Sequence, residues 1–369
     1  MVLIMYKYHL EDVEWSEFSI KDIFKTHFGT NGLQTPTGSY IKKELFSESK
    51  LPRITVRETN NGIDSFVHSS DKKFRIFENF ISVSFLGGVF YHPYKASIDM
   101  KVHALIPRNF ELNRYNAQFL INAVKNNLMY SSYGNQLSST DLPRVKVMLP
   151  LDEEQNPNWH FMEEYIKERE NKQRNDLNEY CKSRLLDLVL CPEVLTDVEW
   201  REFFMGGNDG IFDITATKSG IDKNKLNIES GNVPYITRSE IDNGINLFII
   251  NKQKEKYKQD EGNAITIGLD TQTVFYQSNS FFTGQNIQVL RNENLNKNNA
   301  MFIIPLLKIQ MQKFNWGGNG ATLGRLNRTK IALPIDLNGE PNWAYMENFI
   351  KNIEQKQIKN ILKYLDEYI

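Results

Sequence analysis

The residues that most invite a chemical reading lie in one short segment, Gly317-Gly318-Asn319-Gly320-Ala321-Thr322-Leu323-Gly324-Arg325. Glycines at this density let backbone amides approach a phosphate, which is why they open dinucleotide-binding turns and P-loops. The segment fits neither pattern. Leu323 stands where the last glycine of a dinucleotide fingerprint belongs, and no Lys-Ser or Lys-Thr closes it as a P-loop would require. Two readings stay open. The segment is a flexible turn before a strand, or it is a loop that approaches a nucleic-acid backbone. Trp316, Asn319, Arg325 and Arg328 then supply a wedging aromatic, an amide and two guanidinium groups. The equivalent stretch in the first half contains Tyr133-Gly134-Asn135 and ends at Arg144.

Other chemistries find little support. The six histidines, His9, His27, His68, His92, His103 and His160, show no two-ligand helical spacing, so no metal site is expected. Cys181 and Cys191 are too few for a disulfide framework or a four-ligand zinc site. No Gly-x-Ser-x-Gly elbow occurs, and carboxylate–lysine pairs such as Glu354-Gln355-Lys356 read as a solvated helix face. A DNA methyltransferase needs a cofactor loop and a short aromatic-ended Pro-Pro motif, and neither is present. The expectation is a chain without catalytic groups, metal or cofactor of its own.

The elements that must hold the candidate loops repeat. Leu10-Glu11-Asp12-Val13-Glu14-Trp15 returns 185 residues later as Leu195-Thr196-Asp197-Val198-Glu199-Trp200. Pro52-Arg53-Ile54-Thr55 returns as Pro234-Tyr235-Ile236-Thr237, and Asn61-Gly62-Ile63 as Asn243-Gly244-Ile245. The alternating runs Ile81-Ser82-Val83-Ser84 and Ile265-Thr266-Ile267-Gly268 correspond, as do Val89-Phe90-Tyr91 and Val274-Phe275-Tyr276, all with the signature of strands. From Lys146 to Lys167, eleven of twenty-two positions recur 184 residues on. A repeat of this length dictates architecture before local propensity matters.

Each copy ends in a Leu-Pro-x-Asp loop and a Pro-Asn-Trp step into a long helical pattern. In the first, Trp159, Met162, Tyr165, Ile166, Leu177, Tyr180, Cys181 and Leu185 fall mainly at three- and four-residue steps; the second has Trp343, Met346, Phe349, Ile350, Ile353, Ile358, Ile361, Leu362 and Leu365. Asn158 and Asn342 stand at N-cap positions, with Glu163 and Glu347 in the early turns. Some thirty residues make a rod of about 45 Å, longer than one small domain needs, so the two helices are expected to pair antiparallel as a coiled coil. Candidates for helix pairing or partner docking are Trp159, Met162, Ile166 and Leu177 on one, and Trp343, Met346, Ile350 and Ile353 on the other.

At 369 residues the chain exceeds the usual size of a single core. The expected division is a first domain over 1–157, a helix over 158–190, a second domain over 191–341 and a helix over 342–369. The formal net charge of −1 gives no global attraction to nucleic acid, so binding must come from local patches. The N-terminal apolar stretch is too short for a signal peptide, and no run approaches the roughly 18 apolar residues of a membrane span. A reducing cytoplasm is the simplest setting.

The two copies keep their frame and vary their polar positions. Arg57, Asn60 and Asn61 correspond approximately to Ser239, Asp242 and Asn243, and His92, Tyr94 and Lys95 fall near Gln277, Asn279 and Ser280. Such side chains read base edges; ordinary drift in surface loops would give the same pattern at any single residue. The candidate DNA contacts are therefore Arg57, Asn60, Lys95, Tyr133 and Asn135 in the first copy, and Arg238, Gln277, Gln285, Trp316, Asn319, Arg325 and Arg328 in the second.

Taken in order, the duplicated strand-rich unit, the step Phe282-Thr283-Gly284-Gln285-Asn286-Ile287, the Leu149-Pro150 and Leu333-Pro334 exits and the helix after each resemble the specificity subunits of Type I restriction–modification systems and their Type IIB relatives. The resemblance covers essentially the whole chain. It implies an α/β fold of two tandem target-recognition domains, each a small twisted, mostly antiparallel sheet with helices, separated by the two long helices. It further implies double-stranded DNA as ligand, with each domain reading half of an asymmetric split site. Methyltransferase subunits, two of them, would dock on the helices and bring S-adenosylmethionine, and the nuclease would lie in another subunit or a fused one. The alternative from another class is a non-enzymatic phage or structural adaptor that binds protein on the same duplicated frame.

Overall fold

The computed structural model describes residues 6–128, 137–188, 192, 197–315 and 318–367. The chain forms two compact units, Met1–Asp176 and Leu177–Ile369. In the first, strands Trp15–Ser19 and Lys146–Pro150 pair antiparallel, so the two ends of the domain close on each other. Residues of the second of these strands alternate, with Val147 and Leu149 buried and Lys146 and Met148 facing out. A three-stranded antiparallel sheet orders Val102–Leu105, Phe80–Ser84 and Val89–His92. Every residue of Phe80–Ser84 is buried, because Ile81 and Val83 enter one apolar cluster while Phe80 enters another.

A four-stranded sheet orders Ile63–His68, Ser47–Ile54, Ala96–Ile98 and Ile76–Phe77, with Ser47–Ile54 and Ala96–Ile98 parallel. A single helical turn, α1 (Ile20–Ile23), follows the first strand. Helix α2 (Arg114–Leu128) lays Ala117, Leu120, Ile121, Val124 and Leu128 onto the core at helical spacing.

The second unit repeats this plan. Trp200–Phe204 pairs antiparallel with Lys330–Pro334. A four-stranded sheet orders Asp213–Ala216, Ile287–Arg291, Ala264–Gly268 and Val274–Gln277, and a three-stranded one orders Ile245–Ile249, Ser230–Ile236 and Phe282–Thr283. Helix α4 (Lys297–Met311) corresponds to α2; the short α5 (Leu323–Arg328) follows the glycine-rich loop. To number the helices in chain order, α3 is Trp159–Leu188 and α6 is Trp343–Glu367.

The expected caps are in place, since Phe161 N–H donates to Asn158 Oδ1 (2.8 Å) and Tyr345 N–H to Asn342 Oδ1 (2.9 Å). A second duplicated polar device ties the long helices to their domains. Asn113 caps α2 and donates Nδ2–H to Glu163 Oε2 at 2.8 Å; Asn296 caps α4 and donates to Glu347 Oε2 at 2.8 Å. Lys167 and Lys351 complete the two sets, at 2.6 and 2.5 Å from those glutamates.

The expected division of labour along α3 and α6 is corrected by this packing. Met162 and Met346 are wholly buried in the cores of their own domains, and Trp159, Ile166 and Trp343 pack against the same cores. The Trp159 ring lies on Phe110, 3.8 Å between centroids and 4° from parallel. These side chains are consumed by their own domains and do not pair the helices. Ile350 is half-buried, while Leu177 and Ile353 are 42% and 44% exposed.

Pairing is made one face round. Cys181, Leu185 and Leu188 of α3 meet Ile358 and Leu362 of α6, and Arg184 reaches Glu354 through two hydrogen bonds of 2.6 and 2.9 Å. Gln355 donates to the Leu188 carbonyl and Asn352 to that of Pro192, so from Leu188 to Pro192 the contacts recede along α6. The helices run antiparallel there, as their sequence pattern predicts. Among the described residues, no helix is long and apolar enough to cross a membrane.

Candidate nucleic-acid interface

In the second domain the turn after strand Ala264–Gly268 is the point on which several candidates converge. Leu269 N–H donates to the Asn286 carbonyl (2.9 Å), and the Leu269 carbonyl accepts from Ala321 N–H (3.0 Å). The far end of the glycine-rich loop is thereby held beside the residue after Gln285. A Cβ at position 320 would stand 3.0 Å from the Leu269 carbonyl oxygen and 2.7 Å from its Cδ2, a tight approach that glycine accommodates without moving either. Arg238 forms an ion pair with Asp270, and Asn286 Nδ2 also donates to that carboxylate at 3.3 Å.

Arg325 sits at the start of α5 and folds back, its guanidinium donating to the carbonyls of Gly320 and Gly318, each at 2.9 Å. Asn319 is exposed but donates Nδ2–H to the Lys313 carbonyl at 2.8 Å. Arg328 and Gln285 are exposed, with no hydrogen-bonding or ion-pair partner among the described residues. Arg238, Gln285, Asn319 and Arg325 thus gather around one turn. Trp316 lies outside the described residues.

The first domain has the same frame around different chemistry. Leu137 N–H donates to the Phe85 carbonyl (3.2 Å), the counterpart of Ala321 on Leu269, and Lys101 Nζ stands 4.4 Å over the Phe85 ring. Tyr133 and Asn135 lie outside the described residues. Arg57 pairs with Asp64 at 2.8 Å, and Lys95 stands 3.6 Å from Glu78, all four largely exposed. Asn60 occupies a turn of three consecutive left-handed residues, φ 51°, 50° and 74° at Asn60, Asn61 and Gly62. Asp242, Asn243 and Gly244 reproduce it at 51°, 56° and 77°. Asn, Asp and Gly tolerate this region best.

Gln277 is not at the surface. It is 3% exposed, its Nε2 donating to Thr266 Oγ1 and to the Asn243 carbonyl, each at 3.2 Å. Its partner in the repeat, His92, is fully buried with Nε2 2.8 Å from Ser82 Oγ. Both side chains bridge two strands from inside the sheet, so at this position the two copies differ in a buried polar contact and not in an exposed group. Burial pushes the His92 pKa down to about 4. His103, equally buried, is also lowered, its hydrogen bond to the Leu137 carbonyl opposing the shift.

None of the candidates above falls in Lys252-Gln253-Lys254-Glu255-Lys256-Tyr257-Lys258, where four exposed lysines alternate along a loop. That spacing is the signal that could have found them; a net charge of −1 for the chain conceals it. Among the described residues, no three His, Cys, Asp or Glu side chains gather as metal ligands would.

A family model for the Type I restriction modification DNA specificity domain matches residues 12–179 and, a second time, residues 198–364. The chain belongs to this family. Each match takes in the strand-rich part of one half of the chain and most of the long helix that follows it. The specificity subunit S.BcgI of a Type II restriction enzyme from Heyndrickxia coagulans is 28% identical over 166 residues, 44% of this chain. The match spans 46%, about half, of that relative's length. The S subunit of a Type I restriction–modification system from M. genitalium has the same fold, with a TM-score of 0.55 at 15% identity over 99% of this chain and 96% of that one. Membership in the specificity family favours the DNA-reading expectation over the protein-binding adaptor.

Proposed function

We propose that this chain reads DNA for a restriction–modification enzyme, each specificity domain recognising one half of an asymmetric, split target. The observation that carries this is the pair of equivalent turns. One scaffold presents Leu269, Asp270 and Asn286 with Arg238 in the second domain, and Phe85, Leu86 and Lys101 at the matching places in the first. A conserved frame with unlike polar groups is what two readers of different sequences need.

The chain contributes no chemistry itself. Two methyltransferase subunits dock along the helices and bring S-adenosylmethionine, the outward Leu177 and Ile353 offering apolar contact. A nuclease subunit or a fused nuclease completes the enzyme, which works in the cytoplasm. In the second domain Arg238, Gln285, Asn319 and Arg328 face DNA while Arg325 shapes their loop; in the first, Arg57, Asn60 and Lys95 do so with Tyr133 and Asn135. Exchanging residues 198–333 with those of a relative of known target should change one half of the methylated site, read by methylome mapping, and leave the other intact. Both halves unchanged, or both lost, would sink the two-reader proposal.

A further inference from the structure

We infer that each specificity domain carries, at the end of its sheets opposite the reading turn, a lysine-rich lobe that grips the DNA phosphate backbone. The inference rests on the DNA-reading proposal and adds a contact surface to it. In the second domain the lobe has two segments. Lys218, Lys223 and Lys225 precede strand Ser230–Ile236; Lys252, Lys254, Lys256 and Lys258 follow strand Ile245–Ile249. All seven are exposed.

Lys218 lies toward the Ile236 end of the strand, since Thr283 N–H donates to Ser219 Oγ and Thr283 pairs with Ile236, whereas the pairing of Ser230 with Ile249 puts the adjoining parts of both segments at one end of the antiparallel pair. They are clipped together: Gln253 Oε1 accepts from Asn227 N–H (2.9 Å), Gln253 Nε2 donates to the Asn227 carbonyl (3.1 Å), and Asn227 Nδ2 donates to the Lys252 carbonyl (3.3 Å). Lys225, Lys252 and Lys254 line one open groove of about 510 Å³ between them. Against the seven lysines the two segments, 218–229 and 250–261, hold Asp222, Glu229, Glu255, Asp260 and Glu261, a surplus of two positive charges in a chain whose total is −1, with Lys225 3.1 Å from Asp222 and Lys218 4.0 Å from Glu261.

The first domain builds the same lobe with different glue. Lys42 and Lys43 precede strand Ser47–Ile54, Lys50 lies within it, and Lys72, Lys73 and Arg75 follow strand Ile63–His68, whose His68 pairs with Ser47; the same segments also hold Glu44, Glu48 and Asp71. Here Phe74 holds the segments together, 6.3 Å from Phe46 and 5.6 Å from His68, ring to ring. Positive charge kept at one place while the residues fixing it change is hard to ascribe to packing. The reading turn lies past the other end of strand Ser230–Ile236, where Arg238 pairs with Asp270, seven residues or roughly 20 Å away. The lobe therefore contacts backbone beside the read bases and adds affinity without sequence information.

The test compares the full-length chain with the triple variant Lys225→Gln, Lys252→Gln, Lys254→Gln on a random-sequence DNA duplex, titrated from about 50 to about 200 mM salt. The variant's plot of log affinity against log salt should be shallower by up to about 2.7, about 0.9 per lysine, making its affinity loss over that range up to about 40-fold smaller. A matched variant with Lys356, Lys359 and Lys363 of α6 changed to Gln should keep the parent slope, and Lys→Arg at the three lobe positions should restore it. If the parent binds DNA and the lobe variant, folded by circular dichroism, keeps its slope, the lobe is not a phosphate clamp. If the parent itself shows no salt-dependent binding, the DNA-reading proposal falls with it.

Discussion

Arg325 and Arg328 stand one helical turn apart on α5 and spend their charge differently. The first donates to two loop carbonyls, and the second points to solvent. Arg325→Ala should destabilise the second domain by about 1–3 kcal/mol, the cost of leaving those acceptors without their donor, seen as a lower urea midpoint. Arg328→Ala should leave that midpoint in place and weaken DNA binding. Equal effects of the two variants on stability would show that the loop does not depend on Arg325. His92 gives a second contrast. Its pKa falls from 6.5 unfolded to about 4 folded, so the unfolded state binds more protons between those values. The stability due to its neutral burial is present above about pH 6.5 and lost as pH falls toward 4, by about 3 kcal/mol in all. His103 acts with the same sign. His92→Gln, the residue type the second domain uses against Thr266, should retain a hydrogen bond to Ser82 and flatten the acid limb of the stability curve; an unchanged limb would assign the dependence elsewhere.

Among elements, α3 and α6 show how one helix serves two partners. Their first turns are absorbed by the specificity domains through Trp159, Met162, Trp343 and Met346, and the apolar contact between them comes from Cys181, Leu185, Leu188, Ile358 and Leu362. Three- and four-residue spacing marks all of these positions alike, since periodicity reports that a face is covered and not what covers it. Ile358, 5% exposed, and Ile353, 44% exposed, separate the two roles. Ile358→Asp should cost about 2–5 kcal/mol from the lost aliphatic group alone, whereas Ile353→Asp should keep the thermal midpoint and reduce co-purification of a methyltransferase. The reverse ranking would mean that Ile353 faces the helix pair.

For the whole molecule, duplication is the decisive property. Two specificity domains on one chain allow two half-sites to be read without dimer symmetry, and so allow a target that is not palindromic. The candidate groups are spread over two copies of a scaffold and are not concentrated at one catalytic cleft. Calorimetry of the purified chain with S-adenosylmethionine should accordingly show no saturable heat. A stoichiometric binding isotherm would place cofactor chemistry in this chain and overturn the division of labour with a methyltransferase.

The repeat, the strand-rich units, the caps at Asn158 and Asn342 and the family resemblance were all legible in the sequence, because each depends on identity and spacing along the chain. Which polar residues are free to touch a ligand was not. Gln277 and Gln285 are equally polar as letters, and only the sheet decides that one bridges strands while the other faces water. Arg325 and Arg328 are likewise told apart by two carbonyls that the loop turns inward. The basic lobes needed tertiary structure for the same reason. Lys225 and Lys252 are distant in sequence, and antiparallel pairing of Ser230 with Ile249 is what brings their segments to one edge.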